Sequence, residues 1–180
     1  IESFFSNYQN FAQKSALRVG FEVQNSQINS NENKENIENE NAEDIILEQS
    51  KEESSWYLEI PSINLKADIK EGTTKEILDD FIGHFEETKK DIGNVGLAAH
   101  NRGYKNNYFE NLKKLKEGDL IYYQFEENKR EYIVTKHTII KDTDWSYLED
   151  TEENTLTLIT CVENEPEYRR CIQATQNIEE

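Results

Sequence analysis

The sequence predicts a mostly β protein, a closed or nearly closed barrel of seven or eight short strands with a few short helices. Three observations carry that expectation. From Ser55 onward the chain is cut into short runs rich in β-branched and aromatic residues, the composition that suits a pleated, half-buried surface. Turn signals such as Gly118-Asp119 and Glu126–Asn128 separate the runs. Helical periodicity is scarce, and many short strands with little helix are best accommodated by closure, which removes exposed strand edges.

Taken in order, the strand-like runs are Trp56–Ile60, Ile63–Ile69, Asn94–Ala99, Asp119–Phe125, Glu131–Ile140, Thr155–Cys161 and Tyr168–Thr175. Pro61 and Pro166 fall at run edges, where a missing N–H costs least. Helix is expected over Thr74–Phe81 and over Tyr108–Leu115. No internal repeat is visible.

The first 54 residues read differently. Phe4, Tyr8 and Phe11 share one helical face, which predicts a short amphipathic segment. Beyond it, Asn and Glu dominate, and Ser30 to Glu53 hold nine acids against Lys34 and Lys51. Such a stretch is too polar to offset the entropy of ordering it. The expectation is an N-terminal segment and acidic, largely disordered linker over 1–54, followed by a β-barrel domain over 55–180.

Charge narrows the function. With 37 acidic and 20 basic residues the formal net charge is −17. That excludes a phosphate-driven nucleic-acid binder and disfavours adsorption to anionic lipid. No apolar run reaches the roughly 20 residues that span a bilayer. The two cysteines, Cys161 and Cys171, and three histidines, His84, His100 and His137, form no paired Cys-x-x-Cys or His-x-x-x-His spacing. A structural zinc site usually shows such pairs. No metal and no cofactor are expected.

The stretch Thr155–Cys161 ends a buried-strand pattern on a thiol, and strand ends are where a rigid scaffold presents reactive groups. A free thiol titrates near 8.5 and needs a base or cation beside it. The candidates are His100, closing the run Asn94–Ala99, and Arg169 or Arg170 just beyond Cys161. A permanently protonated guanidinium suits an oxyanion or a substrate carbonyl. Two other readings of Cys161 stand beside catalysis: an inert buried thiol, and a disulfide with Cys171.

Thr157-Leu158-Ile159-Thr160-Cys161 resembles the Thr-Leu-x-Thr-Cys signature of sortases. Gly83-His84-Phe85, Gly93-Asn94 and Ala98-Ala99-His100 are similar to that family's Gly-His, Gly-Asn and Ala-Gly-His sequence, with Ala99 where the glycine is usual. Tyr168-Arg169 is similar to the segment bearing the family's arginine, which favours Arg169 over Arg170. The resemblance runs from about Trp56 to Thr175. It implies a cysteine transpeptidase that cleaves an LPxTG-type sorting signal between Thr and Gly through a Cys161 thioacyl intermediate. The protein would then pass to an amine of the cell wall or of another surface protein. His100 would carry the proton, Arg169 would hold substrate or oxyanion, and Ala98, Thr157, Ile159 and Thr160 would line the sorting-signal groove. The resemblance also implies a Gram-positive cell surface and a membrane anchor upstream of Ile1. No Asp-Pro-aromatic lid motif precedes the domain, which points away from the pilus-polymerising class and towards a class A-like or class D-like enzyme. Papain-like and L,D-transpeptidase-like enzymes are set aside, since neither Cys-Gly-Ser-Cys-Trp nor His-Gly-Cys occurs. The intact His100, Cys161 and Arg169 speak against a β-domain that has lost its chemistry.

Overall fold

Eight strands close on themselves in the computed structural model, which describes residues 54–178. They are β1 (Trp56–Ile60), β2 (Leu65–Glu71), β3 (Ile82–His84), β4 (Asn94–Ala98), β5 (Leu120–Phe125), β6 (Asn128–Lys141), β7 (Thr155–Val162) and β8 (Glu165–Gln176). Around the barrel the order is β1-β2-β3-β4-β7-β8-β6-β5, and β5 pairs back to β1. The amphipathic segment and acidic linker expected over the first 54 residues lie, but for Ser54, outside the described residues.

Most neighbours are antiparallel, but β2–β3 and β4–β7 are parallel. The first parallel pair needs a crossover, supplied by α1 (Lys75–Asp80). Strand β3 has three residues, too few for an alternation to be read, and was absent from the strands expected. The helix expected over Tyr108–Leu115 is reduced to a 3-10 turn at Leu112–Lys114. Its first part is diverted by Asn107, whose amide donates to the Tyr104 carbonyl and whose oxygen accepts the Tyr104 N–H. A side chain that satisfies nearby backbone in this way competes with the helix.

Alternation sorts the side chains onto two faces. Val95, Leu97 and Ala99, Leu156 and Leu158, and Ile172 and Ala174 join Leu58, Ile121, Tyr123 and Tyr132 in the main core. Phe109, Leu112 and Leu115 from the β4–β5 connection belong to it too. The opposite face of β4, β7 and β8 is also covered: Ala98, Ile159 and Cys171 pack with Leu78, Phe85, Ile140, Trp145 and Leu148. This doubly buried sheet explains why all five residues of β4 and the first six of β7 are inaccessible, as expected for strands covered on both sides. Gly96 permits the packing, because a Cβ there would lie 2.7 Å from Leu148 Cδ2 and 3.1 Å from Phe85 Cδ2.

The segment that covers this outer face is stitched down by Asn94. Its amide donates to the Tyr147 and Glu149 carbonyls, both at 2.8 Å, and its oxygen accepts from the Thr157 hydroxyl at 2.8 Å.

Candidate active site

Cys161 sits in β7 directly opposite Arg169 of β8. The strand period of two puts odd positions of β7 and β8 and even positions of β4 on the outer face, so Cys161 and Arg169 share it with Ala98 and Ile159. Arg170 and Ile172 face the other way. The side away from the thiol is the barrel interior, and Ile172 is fully buried there. Arg170 instead donates to His137 Nε2 at 2.6 Å, while His137 Nδ1 meets the Leu115 carbonyl at 3.0 Å.

Both cysteines are free. Cys171 lies opposite Ile159 and is fully buried, and burial pushes its thiol up to about 12. Cys161 is half-buried and lines an open cleft of about 390 Å³ together with Arg169, Asn101, Tyr104, Asn164 and Glu165. Arg169 is 3 % exposed, and its guanidinium donates to the Pro166 and Tyr168 carbonyls at 2.7 and 2.6 Å. Burial draws its pKa down, while the nearby Cys161 and Asp142 act in the opposite direction.

His100 lies two residues beyond β4, where the backbone ladder to β7 has ended at Ala98 and Ile159. Side chains extend the connection. The Thr160 hydroxyl donates to the Ala99 carbonyl at 2.8 Å, and the Asn101 amide donates to the Cys161 carbonyl at 2.7 Å. The residues flanking His100 are therefore tied to Thr160 and Cys161. The imidazole itself is 3 % exposed and stacks flat on Tyr104, with ring centroids 3.6 Å apart and planes 6° from parallel. Burial lowers its pKa from the ordinary value, and the charge of Asp79 opposes that shift.

The expected groove residues are placed apart from the open cleft. Ala98, Ile159, Thr157 and Thr160 are all buried. The first two lie under Trp145 and Leu148 in the outer cluster, Thr157 is engaged by Asn94, and Thr160 by Ala99. Asn101, Tyr104 and Asp79 escaped the sequence reading. Asn101 alone carried a signal, being adjacent to His100. His84 is fully buried between Glu71, at 3.3 Å from Nδ1, and the Lys89 carbonyl, at 2.9 Å from Nε2, a structural tie for the β3–β4 connection. Among the described residues no group of three or more His, Cys, Asp or Glu is placed to hold a metal ion, and no helix is long and apolar enough to cross a membrane.

Fold and site together define a closed β-barrel protein with a thiol and a guanidinium paired across two adjoining strands at an open cleft, and an imidazole just beyond the end of the neighbouring strand. The sortase-domain family model matches residues 58–177, and the chain belongs to the sortase family. It is 34% identical to Sortase A of Bacillus anthracis over 118 residues, covering 65% of this chain and 56% of that protein. It is 32% identical to Sortase A of Staphylococcus aureus over 120 residues, covering 64% and 58%. The chain thus spans little more than half the length of these curated relatives. Among solved structures it is similar to a Sortase D5 transpeptidase of Clostridium perfringens, with 28% identity and a TM-score of 0.63 over 68% of this chain and 78% of that one. It is also similar to a pilus-related Sortase C of Group B Streptococcus, with 27% identity and a TM-score of 0.65 over 71% and 69%. These likenesses extend over three named classes and therefore show the family rather than the class.

Proposed function

We propose that this chain is a cysteine transpeptidase that cleaves an LPxTG-type sorting signal between Thr and Gly and transfers the protein to an amine. The observation that carries the reading is the cross-strand pair of Cys161 with the buried Arg169 in an open cleft, with Asn101, the neighbour of His100, tied to the Cys161 carbonyl.

In the first step Cys161 yields its proton to His100 and its sulfur attacks the Thr carbonyl carbon. The oxyanion that forms is met by the Arg169 guanidinium, a fixed donor that needs no reorganisation at the moment of reaction. The C–N bond then breaks, His100 hands the proton to the departing Gly amine, and a thioester remains on Cys161. In the second step an acceptor amine attacks the thioester carbonyl and loses a proton to His100, which returns it to the Cys161 sulfur. The new amide leaves and the enzyme is regenerated. Splitting the exchange into two acyl transfers is the ordinary gain of nucleophilic catalysis.

The acceptor is an amine of a peptidoglycan precursor or of another surface protein, and the enzyme works at the extracytoplasmic face of the cell membrane, held by an anchor upstream of Ile1. The sorting signal enters over Ala98 and Ile159, which requires Trp145 and Leu148 to shift from the positions they occupy here. A class A-like or class D-like enzyme remains the assignment favoured by the sequence.

The test is chromatographic. An LPxTG-type peptide incubated with this protein and a glycine-based amine should give a product joined at Thr, absent with Cys161→Ala and with Arg169→Ala. Hydrolysis without transfer would contradict the acceptor, and unchanged peptide across several signal variants would contradict the activity.

A further inference from the structure

Helix α1 and the loop that follows β4 form one unit around His100. The Asn106 amide donates to the Asp79 carbonyl at 2.8 Å, the Tyr108 hydroxyl donates to the Asp80 carbonyl at 3.0 Å, and Lys105 pairs with Asp80 at 3.0 Å. These bonds fix the last turn of α1 against the histidine loop. The Asp79 carboxylate is directed by this arrangement to the edge of the imidazole: Oδ1 lies 3.7 Å from His100 Nε2, while Oδ2 is held by Lys75 at 2.6 Å.

The imidazole needs such a partner. Nε2 is inaccessible to solvent and makes no hydrogen bond, and a buried polar atom left unpaired keeps the full cost of its lost hydration. Tyr104 packs flat against the ring, and a stacked face fixes the plane of the ring without choosing between its two nitrogens. A carboxylate at one edge makes that choice. It prefers the tautomer that carries hydrogen on the facing nitrogen, and it favours the imidazolium over the neutral ring. Pairs of this kind are often long in a resting enzyme and tighten when substrate is bound.

We propose that Asp79 is a positioning residue for His100, holding hydrogen on Nε2 and leaving Nδ1 to exchange the proton with the thiol, with Lys75 as the cation that tempers the carboxylate. Among the described residues the groups that act on the ring are Asp79 and Lys75 from α1, and Tyr104 from its own loop stacks on it. Asp79 favours the protonated ring, and Lys75 disfavours it. Removing each therefore has opposite consequences: without Asp79 the imidazole titrates at lower pH, and without Lys75 it titrates at higher pH.

This inference rests on the transpeptidase reading for its purpose but not for its test. The chain has three histidines, so imidazole nitrogen resonances can be assigned with a His100→Gln control and followed against pH in the folded protein. The His100 midpoint is expected to move down in Asp79→Asn and up in Lys75→Ala, and the neutral form to lose its Nε2–H preference in Asp79→Asn. The rate of acyl-enzyme formation in Asp79→Asn should fall by up to about a hundredfold, the scale of loss when a reacting group is misplaced, with Asp79→Glu recovering part of the loss. A His100 midpoint and tautomer unchanged in a folded Asp79→Asn protein would overturn the proposal, whatever the peptide assay gives. The expected titration shifts with no turnover by the unsubstituted protein would leave Asp79 in place and remove the transpeptidase reading.

Discussion

Cys161 and Cys171 share one face of a two-strand ladder, yet their surroundings set them apart. Cys171 is sealed between Ile159 and the outer cluster and its thiol is pushed up to about 12, whereas Cys161 opens on the cleft. A thiol reagent at neutral pH should therefore modify one cysteine of the folded protein, Cys161, and both after denaturation; counting adducts by peptide mass checks this. Asn101 makes a second prediction at this scale. Its loss removes one hydrogen bond, worth about 1 kcal/mol, but frees the histidine segment from the Cys161 carbonyl. Asn101→Ala should slow acyl-enzyme formation about tenfold with little change in the unfolding midpoint. His100 also links the site to acid stability. Its pKa is lowered by burial, so the unfolded chain takes up the proton first. The stability it contributes is complete above the unfolded value of about 6.5 and is lost as pH falls through the folded value. His100→Gln should accordingly flatten the decline of the urea midpoint below pH 6.5. The motifs along the chain singled out Cys161 and Arg169, which the structure pairs across β7 and β8, and His100, which follows β4. The Asp79 contact was not legible there, because it joins residues 21 positions apart through a helix whose orientation no local pattern specifies.

At the scale of elements, the segment between β6 and β7 decides what can reach the outer face. Asn94 is 1 % exposed and serves two carbonyls of that segment and the Thr157 hydroxyl. Asn94→Ala should cost about 2–4 kcal/mol, since several buried groups lose their partner. Amide exchange should accelerate first at Trp145–Glu149. Strands with clear alternation or a continuous apolar run, such as β5 and β7, were readable within a residue or two. β3 was not, since three residues reveal no period. The Tyr108–Leu115 helix was overcalled, because its hydrophobic spacing is real but Asn107 spends the local backbone groups on a turn. The residues expected to line a groove, Ala98, Thr157, Ile159 and Thr160, lie in β4 and β7. The burial of Ala98 and Ile159 under Trp145 and Leu148 depends on a long-range fold-back that strand patterns do not encode.

For the whole molecule, closure is the governing feature: all eight strands lie between Trp56 and Gln176, and β5 to β1 completes the ring. A chain begun at Ser54 should keep the fold, with a thermal midpoint within about 2 °C of the full chain, because the closed ring and its core are complete within the described residues. A larger drop would mean that residues 1–53 pack on the barrel. Closure itself was inferred from many short strands with little helix, and the order of strands around the ring was not, because two parallel pairings interrupt the sequence of hairpins. The central claim is that Cys161 forms a covalent bond to the substrate carbonyl. Intact mass spectrometry of the protein with an LPxTG-type peptide, without added amine, tests it directly. The account predicts a mass increase equal to the acyl fragment ending at Thr, reversed by hydroxylamine, abolished in Cys161→Ala and retained in Cys171→Ala. An adduct that persists in Cys161→Ala, or a folded and reduced protein that never acquires one, would contradict it.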